Sequence, residues 1–312
     1  MVSSRREEAT GFFVALALVW LAWKIVLPFL WILFKYTMGK TFLSRRSGLR
    51  KSGEWAIVTG ATDGIGKAYA YELAKDGLNI MLVSRNPEKL RAVSDDIGSR
   101  YGVRTKTVAC DFTKTDIYEN LEKEVNGLST IACLVNNVGM SYPHFDAYAT
   151  ADFLTIEFIE QLIACNMNSM ACMTRIVLPK MLKQSAIGPA IINVGSFSGL
   201  VPLPYISLYG ASKAFVVHFT EVLYQELGET NVILQAVCPS LVATKLSKAR
   251  PRLFAPPPET YVSSALDMLG VETITLGYLP HALEAFGSRL VPKSFLKAKG
   301  EQFMRRAHKK KG

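Results

Sequence analysis

The hydrophobic pattern divides the chain near residue 53. Ahead of that point lies one nearly unbroken apolar run, "FFVALALVWLAWKIVLPFLWILF", from Phe12 to Phe34, whose only charge is Lys24. A helix needs about 20 consecutive apolar residues to cross the hydrocarbon layer, so a transmembrane or membrane-embedded segment is expected at 12–34. Beyond it, short β-rich runs alternate with helical periods. "EWAIVT", "LNIMLVS", "VRTKTVA", "IACLVNN", "AIINVGS" and "NVILQAVC" read as strands. Helical patterns intervene at about 64–77, 86–100, 113–126, 153–184, 207–228 and 259–270. Strict alternation of this kind predicts an α/β fold, one doubly wound parallel sheet with helices on both faces. The stretch 271–300 is apolar but broken by Gly and Pro, and reads as a substrate flap or a second membrane contact.

Charge orients this arrangement. Lys35, Lys40, Arg45, Arg46, Arg50 and Lys51 follow the apolar run, whereas Arg5 and Arg6 before it are offset by Glu7 and Glu8. The positive-inside bias puts residues 1–11 in the lumen, a basic linker at 35–53, and the body of the protein in the cytosol. Lys24 costs about 2.5 to 3.5 kcal/mol at mid-span, which the surrounding Leu, Phe, Val and Ile offset. Two short apolar arms dipping into one leaflet remain the alternative. The basic tail 301–312 ends "HKKKG", and its Lys309 and Lys310 resemble the dilysine retrieval signal of endoplasmic-reticulum membrane proteins.

Composition narrows the class further. With 49% hydrophobic and 20% charged residues the chain is globular rather than disordered. The net charge of +10 suits a membrane surface or an anionic ligand. No recognition-helix, RNP or zinc pattern accompanies it, so no nucleic-acid partner is expected. Cys110, Cys133, Cys165, Cys172 and Cys238 are odd in number and most sit in core-like runs, which indicates a reducing compartment. The four histidines lack ligand spacing, and no metal is expected.

The first chemical signal follows the first strand. "TGATDGIGKAYAYELA" sets Gly60, Gly64 and Gly66 at a strand-to-helix turn, where a diphosphate needs close backbone approach and free N–H groups at the helix start. At the end of the second strand, where NAD enzymes place an acid for the ribose, this chain has Ser84 and Arg85; these suit a 2′-phosphate and imply NADPH. The Gly-x-x-x-Gly-x-Gly spacing resembles the short-chain dehydrogenase/reductase superfamily, a Rossmann-type fold. That resemblance implies a cofactor cradle of Gly60, Thr62, Asp63, Gly64, Ile65 and Gly66. It also implies Asp111 of "CDF" near the adenine, and Asn137 and Gly139 of "NNVG" bracing the sheet beside the adenosine.

The second signal is a tyrosine one helical turn ahead of a lysine, a pair able to protonate a developing alkoxide because an ammonium stabilises the phenolate. The spacing occurs three times: Tyr36 with Lys40, Tyr71 with Lys75, and Tyr209 with Lys213. Tyr36 and Lys40 read as anchors at the lipid interface, and Lys75 as a solvent-facing lysine. Only Tyr209 follows the fifth strand by a loop and opens a long helix, near the carboxyl ends of the strands. Here the family's set carries over as Tyr209 the acid, Ser196 the carbonyl donor, Lys213 the pKa tuner and ribose contact, and Asn166 the holder of a relay water. Ser198 competes with Ser196, and Asn168 with Asn166. Tyr209 and Lys213 also touch the cofactor, as does Thr244 in "CPSLVATKLSK", where Ser240 departs from the family's glycine.

The closest stretches, "EWAIVTGATDGIGKAYAYELA", "LVNNVGMSY", "YGASKAFV" and "LVATKLSK", resemble the membrane-bound branch that contains 17β-hydroxysteroid dehydrogenases types 3 and 12 and the very-long-chain 3-oxoacyl-CoA reductases. A lipophilic ketone is then the expected substrate. The basic surface favours a 3-oxoacyl-CoA of fatty-acid elongation over a 17-oxosteroid such as estrone or androstenedione. A membrane-tethered, non-catalytic NADPH-binding scaffold is the alternative from another class. The family also implies a homodimer through the long helices after strands four and five.

Overall fold

The computed structural model describes residues 2–184 and 188–308. Seven parallel strands form its centre: β1 (Trp55–Thr59), β2 (Asn79–Ser84), β3 (Thr105–Ala109), β4 (Ile131–Asn136), β5 (Ala190–Val194), β6 (Ile233–Val237) and β7 (Ile274–Thr275). Their order is β3-β2-β1-β4-β5-β6-β7. The chain winds outward from β1 to β3, then returns to β4 and winds the other way. The reversal leaves a crevice beyond the carboxyl ends of β1 and β4, where doubly wound sheets bind ligands.

Burial on both faces explains the continuous apolar runs. Along β1, Ala56 and Val58 point into one core with Tyr69, Leu73 and Leu266, while Ile57 points into the other with Met81, Leu134 and Val177. The buried asparagines of β4 and β5 pair sideways on the face of the second core. Asn136 Nδ2 donates to Thr174 Oγ1 (3.1 Å) and Asn193 Oδ1 (2.8 Å), and Asn193 Nδ2 donates to Thr220 Oγ1 (3.0 Å). This chain ties β4 and β5 to the helices Ser169–Lys183 and Ser207–Leu227. The expected boundary at residue 270 falls inside the sheet, because the next segment supplies β7 before the helices Leu279–Leu290 and Lys293–His308.

The N-terminal segment is helical from residue 2 to residue 43, with π-turns at Ala22–Val26 and Lys35–Gly39. Among the described residues it holds the one helix long and apolar enough to cross a membrane, and Phe12, Phe13, Val19, Trp20 and Trp23 are exposed along it. Such a surface associates with lipid rather than with water.

Tyr36 corrects the expectation of a lipid-interface anchor. It is buried, and its hydroxyl pairs with Thr275 Oγ1 (3.0 Å) and accepts from the Leu276 N–H (3.0 Å), while neighbouring Lys35 forms an ion pair with Glu272. The tyrosine therefore fastens the membrane helix to edge strand β7. Lys309 and Lys310, read as a retrieval signal, lie outside the described residues.

The glycine turn is packed to its limit at Gly66. A Cβ there would stand 2.3 Å from both Gly60 O and Asn137 Nδ2. Since backbone cannot yield as a flexible side chain does, Gly66→Ala is expected to destabilise the fold by about 3 kcal/mol, lowering Tm by roughly 10 °C in a thermal melt. An unchanged Tm would show that the turn is looser than this.

Candidate functional site

At the glycine turn the backbone does the work. Gly60 and Gly64 adopt φ of 66° and 53°, and a Cβ on Gly64 would meet Thr244 Cγ2 at 3.2 Å. The helix Gly64–Lys75 starts at Asp63, whose side chain makes no capping hydrogen bond. The first helical N–H groups, those of Gly64, Ile65 and Gly66, are thus left to a phosphate, so the cradle fits a dinucleotide. Asp63 instead forms ion pairs with Lys89 and Lys245, each at 3.0 Å. Burial alone would raise its pKa, but the hydrogen bonds from Lys245 and Lys89 hold it below the usual value. Those two lysines were not legible as site residues, since nothing local links them to Asp63.

The adenosine end lies at β2. Ser84 is buried, its Oγ 2.9 Å from Thr62 Oγ1, and Arg85 next to it is exposed. Asp111 accepts from the Thr113 N–H (3.1 Å) and hydroxyl (2.9 Å). The Thr113 N–H chiefly lowers its pKa, and the charge of Arg85 adds to the effect. Arg85 therefore stands near both β2 and β3, where a 2′-phosphate could reach it. Asn137 braces the turn from below, its Nδ2 donating to Thr59 O at 2.9 Å.

The reacting end lies beyond β4, β5 and β6. Ser196, at the end of β5, caps the short helix Phe197–Leu200. The Tyr209 phenol lies near enough for the Ser196 hydroxyl to lower its pKa, while Ser198 donates to Ser196 Oγ (3.0 Å) from a buried position behind it. Burial raises the pKa of Tyr209, and the nearby Ser196 hydroxyl pulls it back. Lys213 is buried one turn later, its Nζ 5.9 Å from the Tyr209 ring centroid and donating to Val194 O at 2.9 Å. Burial lowers its pKa from 10.5 to about 8.

Asn166 occupies a π-turn, Ala164–Asn168, that interrupts the long helix. Its Oδ1 accepts from Met140 N (2.7 Å), and its Nδ2 donates to Met140 O (3.0 Å) and Ser212 Oγ (2.9 Å). Asn168, by contrast, is exposed. Gly139 closes the floor, where a Cβ would lie 3.3 Å from Asn166 Oδ1 and 3.5 Å from Lys213 Nζ.

After β6, Ser240 has a partner that explains the departure from glycine. Its hydroxyl donates to Glu284 Oε2 (2.7 Å), and its N–H donates to Nδ1 of the fully buried His281 (3.4 Å). Thr244 Oγ1 accepts from Ser247 N (3.2 Å), closing a turn within the loop. Beside Tyr209, the side chains of Tyr142, Phe145, Phe153, Phe158 and Leu203 make an apolar wall.

A phosphate cradle, a buried lysine and a tyrosine beside a strand-end serine define an oxidoreductase that moves a hydride to or from a dinucleotide. The chain belongs to the short chain dehydrogenase family, whose match spans residues 54–252. It is 47% identical over 241 residues to the very-long-chain 3-oxoacyl-CoA reductase of Bos taurus, covering 77% of this chain and 76% of that one. To very-long-chain 3-oxoacyl-CoA reductase-B of Danio rerio it is 46% identical over 249 residues, 80% of this chain and 78% of that one. Among solved structures, a short-chain dehydrogenase from Sphingobium yanoikuyae in complex with NADPH matches with a TM-score of 0.64 at 27% identity, over 76% of this chain and 93% of that one.

Proposed function

We propose that the protein reduces the 3-keto group of long or very-long-chain 3-oxoacyl-CoA with NADPH, at the endoplasmic-reticulum membrane and on its cytosolic side. The observation that carries the substrate is the likeness to 3-oxoacyl-CoA reductases over three-quarters of both chains. The apolar wall beside Tyr209 agrees with it, since an acyl chain needs such a surface.

The amides of Gly64, Ile65 and Gly66 would hold the phosphates of NADPH, and Ser84 and Arg85 its 2′-phosphate; when bound, it would supply the hydride. Ser196 orients the ketone oxygen by donating a hydrogen bond to it. Tyr209 gives its phenolic proton to that oxygen as charge develops there. Lys213, charged below about pH 8, stabilises the phenolate left behind. Both donors of Asn166 Nδ2 are in use, so it holds a relay water through the spare lone pair of Oδ1. A homodimer through the helices after β4 and β5 fits the exposed Leu182, Val222 and Tyr224 on them.

The deciding experiment follows NADPH oxidation by the purified, detergent-solubilised protein. Turnover is expected with a long-chain 3-oxoacyl-CoA and little with estrone or androstenedione. No turnover of any 3-oxoacyl-CoA, together with turnover of a steroid, would reverse the assignment.

A further inference from the structure

The helix Leu279–Leu290 runs antiparallel to the membrane anchor. Leu279 and Ala282 share an apolar cluster with Tyr36 and Ile32, and seven residues beyond Leu279 the Phe286 ring meets Phe29 at 6.0 Å. Seven residues separate Tyr36 from Phe29 as well, so the two helices descend together for about 10 Å. Since Phe29 lies inside the apolar run, Phe286 lies level with that run. Leu290, one turn further, is 53% exposed, and Phe295, after the Val291–Pro292 turn, is 57% exposed.

The charges around this tip suit a shallow seat rather than a second crossing. Arg289 and Lys297 are exposed beside the two apolar side chains. Long basic side chains can bury their stems and carry their heads up to the phosphate layer.

From the tip, the helix Lys293–His308 returns to the active site. Gly300 is buried against Pro204 and Tyr205, where a Cβ would lie 3.3 Å from Pro204 O and from Tyr205 Cδ2. Tyr205 itself is held at φ 70°, a conformation uncommon for a bulky side chain, with its carbonyl accepting from Asp146 N (3.0 Å). One turn on, Phe303 meets Phe145 at 5.3 Å, and Phe145 packs in the cluster that contains Tyr209.

We propose that the helical hairpin 279–308 is a second membrane contact, its tip seated in the phospholipid surface beside the anchor. Its returning helix forms one wall of the path by which an acyl chain passes from the bilayer to Tyr209. The proposal rests on the anchor lying in the membrane, and its acyl path rests on the 3-oxoacyl-CoA reading. Glu284 and His281 on the descending helix grip Ser240, so the same helix also steadies the loop after β6.

The test uses the full chain in phosphatidylcholine–phosphatidylserine vesicles. In a Cys172→Ser background, whose other cysteines are buried, a nitroxide is attached at Leu290→Cys or Phe295→Cys. Glu122→Cys serves as control, on the helix after β3, at the sheet edge opposite β7. Molecular oxygen is expected to relax the labels at 290 and 295 more than a nickel chelate does, with the reverse at 122. Nickel dominance at 290 and 295 would overturn the seat. So would shielding from both reagents with spin–spin broadening that disappears on dilution with unlabelled protein, which would mean a second copy covers the tip.

This readout needs no turnover, so its failure is separable from failure of the substrate assignment. For the path, Leu290→Asp is expected to raise KM for a long-chain 3-oxoacyl-CoA about tenfold while leaving KM for a short, water-soluble one and kcat unchanged. Equal effects on both chain lengths, or none on either, would overturn the path.

Discussion

Tyr209→Phe is expected to lower ketone reduction by a factor of about 10³ to 10⁴ while leaving NADPH binding nearly intact. The substitution deletes one oxygen from a ring whose wall of Tyr142, Phe145 and Leu203 stays in place. The glycine cradle and Arg85 do not depend on it. The proton for the alkoxide, however, has no other source of comparable placement, because Ser196 is a far weaker acid. Two measurements read this out: steady-state NADPH oxidation with a 3-oxoacyl-CoA, and titration of NADPH fluorescence against the protein. A variant within tenfold of the wild type would mean that another group protonates the product. Equal, negligible activity in both proteins, with binding retained, would instead favour a non-catalytic scaffold.

Lys213→Met is expected to move activity and stability in opposite directions. Lys213 is buried, and its pKa falls from 10.5 to about 8. Below about pH 8 both folded and unfolded chains carry the proton, and the fold bears the full penalty of a buried ammonium. Between about 8 and 10.5 the unfolded chain holds a proton that the folded one has released, so wild-type stability rises with pH across that window. The shift corresponds to about 3 kcal/mol of destabilisation at pH 7. Methionine has nearly the same length and no charge, and it forfeits only the hydrogen bond to Val194 O, worth about 1 kcal/mol. The cofactor-free variant should therefore melt higher than the wild type at pH 7, with the advantage gone by about pH 10.5. Its reduction rate should fall by about 10² or more, since the phenolate loses its ammonium. In the wild type, the same titration should appear as a decline in reduction above about pH 8. A variant that melts lower than the wild type at pH 7 would show that the ammonium is held by partners strong enough to outweigh its burial.

Both expectations turn on a pair of residues that spacing alone does not single out. Tyr36 with Lys40 and Tyr71 with Lys75 repeat the pattern, and the structure shows what each tyrosine does instead. Tyr71 bonds Asp96 on the next helix, and Tyr36 bonds Thr275 and Leu276. Tyr209 was distinguishable because its neighbours in sequence, a strand-end serine and a helix start, already imply a location at the carboxyl edge of the sheet. The role of Tyr36 was not, because its partners lie more than 230 residues away and carry no local mark. Asn166 and Asn168 were separable only in part for a related reason: a π-turn rotates one inward and the other outward, and no period in the sequence announces it.

By itself the chain determined its alternation of strands and helices, its apolar anchor, its glycine turn and the position of its tyrosine–lysine pair. Each of these is a local property, set by side-chain period, by the room a phosphate needs at a helix start, or by the length of an apolar run. The tertiary structure alone decided that Tyr36 locks the anchor to β7 and that Ser240 answers to Glu284 and His281. It also decided that residues 279–308 fold down beside the anchor and back to Phe145. Those are contacts between segments far apart in the chain, and packing fixes them only once the sheet has brought the segments within reach.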